Sequence, residues 1–279
     1  MQTSNKTGDT PDRKDCIIMK KMFVMILALL MLATCFVGCG ASDSSDMAYV
    51  KKNGKLVVGI TDYAPMDFKD ENGQWTGFDA EFAELFCEEL GVDCEFFVIA
   101  DWSKKFYELE TKNIDVIWNG MTITDEVKLN TSCSDPYVIN AQVVVMKADV
   151  VNNYPDFESL KDLTIAVENG SAGQDAAAAI GATNIVPLQD QAAALMEVAA
   201  GTSDACVIDI TMANAMTGEG TNYADLASGI SLTEELYGVG FRKDSDLTAK
   251  LNEFMAKLDA DGTLDELAAK YDLALASWK

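Results

Sequence analysis

Histidine is absent from the 279-residue sequence, and arginine occurs only at Arg13 and Arg242. Without histidine, the chain lacks the usual general base and the most common metal ligand, which argues against a hydrolytic or zinc enzyme. Basic residues as a whole are scarce, because 21 lysines and arginines stand against 45 aspartates and glutamates, a formal net charge of −24. Neither a nucleic acid nor an anionic membrane surface is therefore an expected partner, since little basic surface is available to neutralise phosphates.

Long hydrophobic runs are also scarce, although 49% of the residues are hydrophobic and the length suits one or two domains with a full core. One apolar run, residues 22–33, follows Lys20 and Lys21 near the start of the chain. It is shorter than a membrane span and has the cationic start of a secretion signal. An ordinary core helix is the alternative for this run.

The end of this run contains small residues, and residues 36–39 resemble a bacterial lipobox. The resemblance implies that Cys39 becomes the lipidated first residue of the mature protein. We therefore expect a leader over residues 1–38 and a flexible, lipid-anchored tether over residues 39–46, which are mostly small and polar. The polar segment ahead of the run leaves open whether translation starts at the first residue or at Met19.

Strand-like and helix-like patterns alternate through the rest of the chain. Short runs of apolar residues are separated by segments whose apolar residues follow helical spacing. Strands are expected at residues 56–60, 94–99, 114–118, 164–167, 185–188, 206–208 and 237–241. Because strands that alternate with helices favour a parallel sheet, the pattern predicts an α/β fold with two similar lobes.

Small polar residues follow the apolar run at residues 114–118. Asn119, Gly120 and Thr122 would lie at the carboxyl end of this strand. Open α/β sheets bind ligands at the carboxyl ends of their strands, so a binding site is predicted here. Thr124 precedes two acidic residues and is a typical N-cap of the next helix.

Several short motifs follow one another in a specific order. They lie at residues 63–65, 77–79, 114–117, 120–124, 134–137, 170–171, 204–209 and 260–264. In this order the sequence resembles, over about residues 51–271, the bacterial extracellular solute-binding proteins of family 3, the polar amino-acid-binding proteins of ABC transporters. The resemblance implies a two-lobed α/β fold of the periplasmic-binding-protein type (type II), with parallel-rich sheets flanked by helices and two crossover strands. Lobe 1 would comprise residues 47–141 and 238–279, and lobe 2 residues 142–237.

The resemblance also implies roles for single residues. Asp209 matches the aspartate that binds the ligand's ammonium group, through a charge-assisted hydrogen bond that contributes about 1.5–3 kcal/mol. Capping of the next helix is the alternative role for Asp209, and both can coexist. Gly120 and Thr122 match positions that offer backbone and hydroxyl groups, and Asn119 matches a small polar contact. Ordinary turn chemistry is the alternative for these three.

Two aromatic residues and one helix start complete the implied site. Tyr63 and Trp102 match the rings that enclose the ligand side chain in the binders of lysine, arginine, ornithine and histidine, with simple packing as the alternative for Trp102. Ser171 precedes a helix whose N-terminus would bind a carboxylate, and a plain cap is its alternative. Glu168 adds negative potential to the site.

One departure from the family concerns Val127, which stands where an arginine usually grips the ligand's carboxylate. Arg242 falls at a position that is commonly on the surface, so it is not an obvious substitute. Either Thr122 and the helix start at Ser171 hold the carboxylate alone, or the ligand has no α-carboxylate at that place. The expected ligand is a polar or cationic amino acid, with a related amine as the competing class.

Cysteine use gives one further expectation. Cys87 and Cys94 flank a turn, and an exported location permits oxidation. Some members of the family have a disulfide at this spacing, so the resemblance implies one here.

The predicted function is therefore capture of an amino acid outside the cytoplasm by a monomeric lipoprotein, anchored to the cell membrane through Cys39, and delivery to an ABC permease. No catalytic residue, cofactor or metal site is expected. The alternatives are binding of a non-standard amine and ligand sensing for a membrane receptor. Catalysis would require an acid or base in the cleft, which Glu168 or Asp209 could supply.

Overall fold

The computed structural model describes residues 45–277. The predicted leader, Cys39 and nearly all of the tether therefore lie outside the described residues. Within residues 45–277, no helix has the length and apolar character that a membrane crossing requires.

Helices and strands alternate along this part of the chain. The α-helices are α1 (Asp46–Asn53), α2 (Phe78–Leu90), α3 (Lys105–Glu110), α4 (Asp125–Asn130), α5 (Phe157–Leu160), α6 (Ala172–Ala179), α7 (Gln191–Ala200), α8 (Ile210–Met216), α9 (Asp246–Asp261) and α10 (Thr263–Lys270). The strands are β1 (Lys55–Ile60), β2 (Phe68–Lys69), β3 (Trp75–Thr76), β4 (Asp93–Val98), β5 (Val116–Ile117), β6 (Ser132–Cys133), β7 (Val138–Asn140), β8 (Gln142–Lys147), β9 (Thr164–Glu168), β10 (Asn184–Leu188), β11 (Ala205–Asp209), β12 (Leu226–Ser231), β13 (Glu235–Tyr237) and β14 (Gly240–Phe241). Short 3₁₀ helices occupy Trp102–Lys104 and Val151–Asn153.

Two five-stranded sheets organise these elements. The first sheet has the order β4-β1-β5-β14-β6, and the second sheet has the order β10-β9-β11-β8-β12. β1 is parallel to β4 and β5, and β9 is parallel to β10 and β11, as the alternation of strands and helices predicted. The predicted α/β class with parallel-rich sheets is confirmed.

Each sheet also contains antiparallel strands, which the sequence pattern did not indicate. β14 runs antiparallel to β5, and β8 runs antiparallel to β11. Both strands follow a crossing strand after only one or two residues, with no helical crossover between them. A strand that enters its sheet from the carboxyl-terminal edge of the parallel strands must run opposite to them.

β7 and β13 form an antiparallel ribbon, called the hinge ribbon below, with Asn140 opposite Glu235 and Val138 opposite Tyr237. β7 leads into β8 of the second sheet, and β13 leads into β14 of the first sheet. These are the two expected crossover strands. The single strand predicted at residues 237–241 was wrong, because the chain leaves the ribbon after Tyr237 and resumes pairing at Gly240.

The end of β5 is fixed by aromatic packing. Trp118 is fully buried, and the Phe82 ring of α2 meets it edge to face with centroids 5.0 Å apart. Helix α2 is capped at its C-terminus by Gly91, whose φ of 68° places it in the left-handed region that favours glycine. The residues after Trp118 are thus held against a rigid helix and sheet.

Arg242 lies inside a polar network of the first sheet, so its expected surface position was wrong. Its side chain is only 12% exposed, and Nε donates to Asp46 at 2.9 Å while Nη2 donates to Asp115 at 3.0 Å. Nη1 donates to the Ile114 carbonyl at 2.9 Å. A guanidinium with these partners stabilises the start of β5.

Cys87 and Cys94 are adjacent free thiols in the structure, so the implied disulfide is not formed in it. A hydrogen bond with Cys87, together with burial, raises the pKa of the Cys94 thiol. The bond itself stays a prediction for protein exported to an oxidising compartment, where it would stabilise the fold by about 2–3 kcal/mol. Mass spectrometry of protein purified without reductant should find one peptide pair lighter by two hydrogens. Two alkylated thiols at these positions would contradict this.

Candidate binding cleft

A cavity of about 40 Å³ lies between the two sheets, at the carboxyl ends of β5, β9 and β11. This volume holds only a few water molecules. Its lining residues are Trp102, Lys105, Asn119, Gly120, Met121, Thr122, Thr124, Glu126, Val127, Gln142, Glu168, Gly170, Ser171, Ala172, Asp175, Gln191 and Asp209. The cavity therefore contains every predicted ligand contact except Tyr63.

Asp209 ends β11 and lines the cavity, with 4% of the residue exposed. Its oxygens accept hydrogen bonds from the amides of Gln142 (2.7 Å), Asn140 and Gln191. Although Asp209 occupies the N-cap position of α8, its side chain makes no capping bond. A carboxylate can accept about four hydrogen bonds, so room remains for one further donor.

The surroundings of Asp209 disfavour its negative charge. Burial, followed by the nearby Glu235 carboxylate, raises the pKa of Asp209 to about 7. Glu235 lies on the hinge ribbon and accepts hydrogen bonds from Asn140 (2.6 Å), Gln142 (2.7 Å) and Thr122 (2.8 Å). A cation in the cavity would relieve the repulsion between the two carboxylates.

Residues 119–122 form one wall of the cavity, and their polar groups already have partners in the protein. Asn119 exchanges two hydrogen bonds with Thr61, at 2.7 and 2.8 Å. The Gly120 N–H donates to Asp79 at 2.5 Å, and the Thr122 hydroxyl donates to Glu235. The Gly120 N–H is therefore not free for a ligand.

Gly120 also has a backbone conformation that suits only glycine. Its φ is +54°, and a Cβ would lie 2.5 Å from the Tyr63 ring and 3.0 Å from the Tyr237 ring. Thr124 caps α4 by accepting from the Val127 N–H at 3.1 Å, as predicted. Residues 120–124 thus pack closely against two buried rings and end in a capped helix N-terminus.

Tyr63 lies outside the cavity. It is 1% exposed, and its hydroxyl is hydrogen-bonded to Thr211 at 2.5 Å and to the Tyr237 hydroxyl. Its ring meets the Tyr237 ring edge to face, with centroids 6.5 Å apart. The expected pairing of Tyr63 and Trp102 around a ligand is not present here, because the Tyr63 side chain connects the first sheet to α8 and the hinge ribbon.

Trp102 does line the cavity and is 6% exposed. The Lys105 ammonium lies 5.1 Å from its ring centroid and 4.7 Å from that of Phe106. This cation–π partner comes from the protein's own chain.

The second-sheet wall contains Ser171 and Glu168. Ser171 caps α6 by accepting from the Gln174 N–H at 3.2 Å, so the capping alternative is present in the structure. Glu168 ends β9, is 3% exposed, and its Oε1 has no hydrogen-bond partner among residues 45–277. Burial, with Asp209 as the next cause, raises the pKa of Glu168 well above its usual range.

Among the polar residues of this region that were not singled out from the sequence are Lys105, Gln142, Gln191 and Glu235. Glu235 lies on a crossing strand and Gln142 closely follows one, a location that a topology prediction could have identified. Gln191 starts α7 and looks like an ordinary helix residue. Lys105 lies in a run of polar residues, and nothing local distinguishes it from its exposed neighbour Lys104.

Two α/β sheets joined by a hinge ribbon around a polar, acidic cavity define the class of two-lobed solute-binding proteins. The chain belongs to the bacterial extracellular solute-binding proteins, family 3, whose family model matches residues 56–274. The predicted family is thus confirmed.

Individual relatives agree in length and fold. The lysine/arginine/ornithine-binding periplasmic protein of Escherichia coli K12 is 31% identical over 88% of this chain and 95% of its own length. Among solved structures, a mutant of ArgBP from T. maritima is 33% identical, with a TM-score of 0.75 over 81% of this chain and 98% of that one. The ancestral amino acid-binding protein AncCDT-1, a precursor of cyclohexadienyl dehydratase, is 33% identical, with a TM-score of 0.74 over 81% and 99%.

Proposed function

We propose that this protein captures a small amino acid between its two sheets and delivers it to an ABC importer, without catalysing a reaction. The observation that carries the proposal is the cavity, whose lining brings together Asp209, Thr122 and the N-terminus of α6. The Asp209 carboxylate can bind an ammonium group, and the helix N-terminus can bind a carboxylate. Ser171 accepts from the Gln174 N–H, and the N–H groups of Ala172 and Gly173 before it have no acceptor within the helix and can serve as donors.

The charges of the cavity favour a polar or cationic side chain. Asp209, Glu168, Glu126 and Asp175 line it, against the single cation Lys105 among residues 45–277. The unpartnered Glu168 oxygen is a natural acceptor for a second donor on the ligand. A relative that binds lysine, arginine and ornithine supports this choice. An amine without an α-carboxylate is the competing ligand class.

Delivery and location follow from the family rather than from the cavity. Members are extracellular solute-binding proteins, so a membrane permease is the proposed partner of a monomeric chain. Lipidation of Cys39 would anchor the protein at the outer face of the cell membrane. A membrane receptor that reports the ligand would use the same binding chemistry, and its gene rather than a permease gene would then neighbour this one.

A thermal-shift screen tests the proposed function directly. The ligands are the twenty amino acids, their decarboxylated amines, polyamines and sugars. A ligand at about 100 times its dissociation constant should stabilise the protein by about 2.7 kcal/mol. We expect the largest shift for a polar or cationic amino acid. Shifts from sugars alone would refute amino-acid binding, and shifts from amines alone would favour the competing class.

A further inference from the structure

Lys105 is the only cationic side chain that lines the cavity within residues 45–277. It belongs to α3, on the first-sheet side, and only 5% of the residue is exposed. Its Nζ donates to the Gly170 carbonyl at 3.0 Å and lies 3.5 Å from the Trp102 carbonyl. Across the described chain, no carboxylate lies within 4.0 Å of this ammonium. Lys105 is thus a buried cation without an anionic partner.

Such a cation is costly unless an anion joins it. Removal from water disfavours the charged form, and burial indeed lowers the pKa of Lys105. Glu126, Glu168, Asp175 and Asp101 act on Lys105 only at longer range and oppose this shift. An ammonium group has three N–H donors, and two carbonyl oxygens leave at least one for an incoming anion.

A second group that attracts anions lies at the same place. Gly170, whose carbonyl binds Lys105, immediately precedes Ser171, the N-cap of the eight-residue helix α6. The first-turn N–H groups of α6 and the positive end of its dipole therefore lie next to the Lys105 ammonium. Ser171 and Ala172 both line the cavity. Two independent anion-binding features, one from each side of the cleft, thus meet at one edge of the cavity.

We propose that Lys105 binds the α-carboxylate of the ligand, in concert with the N-terminus of α6, and so makes the site selective for amino acids over amines. This inference rests on the proposed function, because it names a residue of the same cleft. Trp102 and Phe106 act as positioning residues that hold the ammonium through their ring faces. Asp209, which has the opposite charge to Lys105, then binds the ligand's ammonium group. Because Lys105 binds the carboxylate in this arrangement, an arginine is not required at the position of Val127.

The contact with Gly170 also couples Lys105 to closure of the cleft when the ligand binds. Lys105 is on the first-sheet side, and Gly170 is on the second-sheet side. A carboxylate bound between them contacts both sides at once, so ligand binding and closure of the cleft stabilise each other.

The test compares Lys105→Met with wild type by isothermal titration. The probes are the amino acid with the largest thermal shift among the twenty and the amine that lacks only its α-carboxylate. Methionine keeps the aliphatic stem and removes the charge. We expect the variant to bind the amino acid about 100-fold more weakly, while its affinity for the amine changes less than about threefold.

Lys104→Met is the matched control. It removes the same charge from the neighbouring residue, whose side chain is 64% exposed and paired only with Asp101 at 3.5 Å. Its affinity for the amino acid should stay within about threefold of wild type. If Lys105→Met fails to fold, Lys105→Gln carries the same comparison.

The outcomes separate this inference from the function beneath it. Equal weakening of amino acid and amine, or no weakening, would overturn the role of Lys105 while leaving amino-acid capture intact. Wild-type protein that binds no amino acid at all would overturn the proposed function and this inference with it. If Lys105→Met weakens the binding of the amino acid but not of the amine, the result supports both the role of Lys105 and amino-acid capture.

Discussion

Asp209→Asn should weaken the binding of the best amino acid by about 100-fold or more. The ligand's ammonium would lose a buried, charge-assisted partner, and loss of one member of such a pair costs about 2–5 kcal/mol. The amides of Gln142 and Gln191, which now donate to this carboxylate, would remain around a neutral side chain. Titration calorimetry on wild type and variant measures the change.

The same substitution should not destabilise the ligand-free protein at pH 7. Burial and Glu235 already disfavour the Asp209 charge, raising its pKa to about 7. A neutral asparagine avoids that penalty, although one of its donors would face the surrounding amides. Loss of affinity with an unchanged or higher melting temperature would mark Asp209 as a binding residue rather than a packing residue.

Asp190→Asn provides the control. Asp190 is the N-cap of α7 and accepts from the Ala193 N–H at 2.7 Å, a role that asparagine also fills. It carries the same charge change but does not line the cavity. Its affinity should stay within about threefold of wild type. If Asp209→Asn also stayed within that range, the ammonium would bind elsewhere.

Local patterns in the sequence were enough to predict the alternation of strands and helices and the cavity wall formed by residues 119–122. Asn119 and Thr122 were identified because they come shortly after an apolar strand, and the carboxyl ends of parallel strands share one edge of a sheet. The role of Asp209 was implied by the resemblance to the family. Thr124 was found from capping preferences alone. These features depend on neighbours within a few residues.

The remaining features depend on contacts between distant parts of the chain. The hydroxyl of Tyr63 binds Thr211 and Tyr237, which lie 148 and 174 residues away along the chain. The sequence around Tyr63 therefore does not indicate that this residue lies outside the cavity. Lys105 meets Gly170 at a separation of 65 residues, whereas its neighbour Lys104 stays exposed. Two adjacent lysines with opposite environments cannot be distinguished by spacing or composition.

Lowering the pH from 8 to 5.5 should weaken ligand binding by about 30-fold. With a pKa of about 7, Asp209 is mostly protonated at pH 5.5 in the ligand-free protein. An ammonium ligand requires the carboxylate, so below pH 7 binding must displace a proton, at about tenfold in affinity per pH unit. Glu235, Glu168 and Tyr237 also act on Asp209, and none of them supplies a compensating positive charge.

Calorimetry in two buffers of different ionisation enthalpy tests this proton linkage. At pH 7 about half a proton should be released for each ligand bound, and almost none at pH 8.5. Asp79→Asn is the control, because burial also raises the Asp79 pKa to about 7, yet Asp79 does not line the cavity and accepts hydrogen bonds from the Gly120 N–H and the Tyr137 hydroxyl. This variant should keep the pH dependence of ligand affinity.

The stability of the ligand-free protein should change with pH in the opposite direction. A carboxyl whose folded pKa is raised from 3.8 to about 7 stabilises the fold fully below pH 4, and this contribution is lost as the pH rises to 7. Asp209 alone should make the ligand-free protein more stable at pH 5.5 than at pH 8 by on the order of 2 kcal/mol, and Asp79 acts in the same direction. Saturating ligand should reduce the Asp209 share, because its ammonium stabilises the carboxylate at high pH. If melting temperatures follow this slope while affinity stays constant with pH, the raised pKa belongs to the fold alone, and Asp209 is not the ammonium's partner.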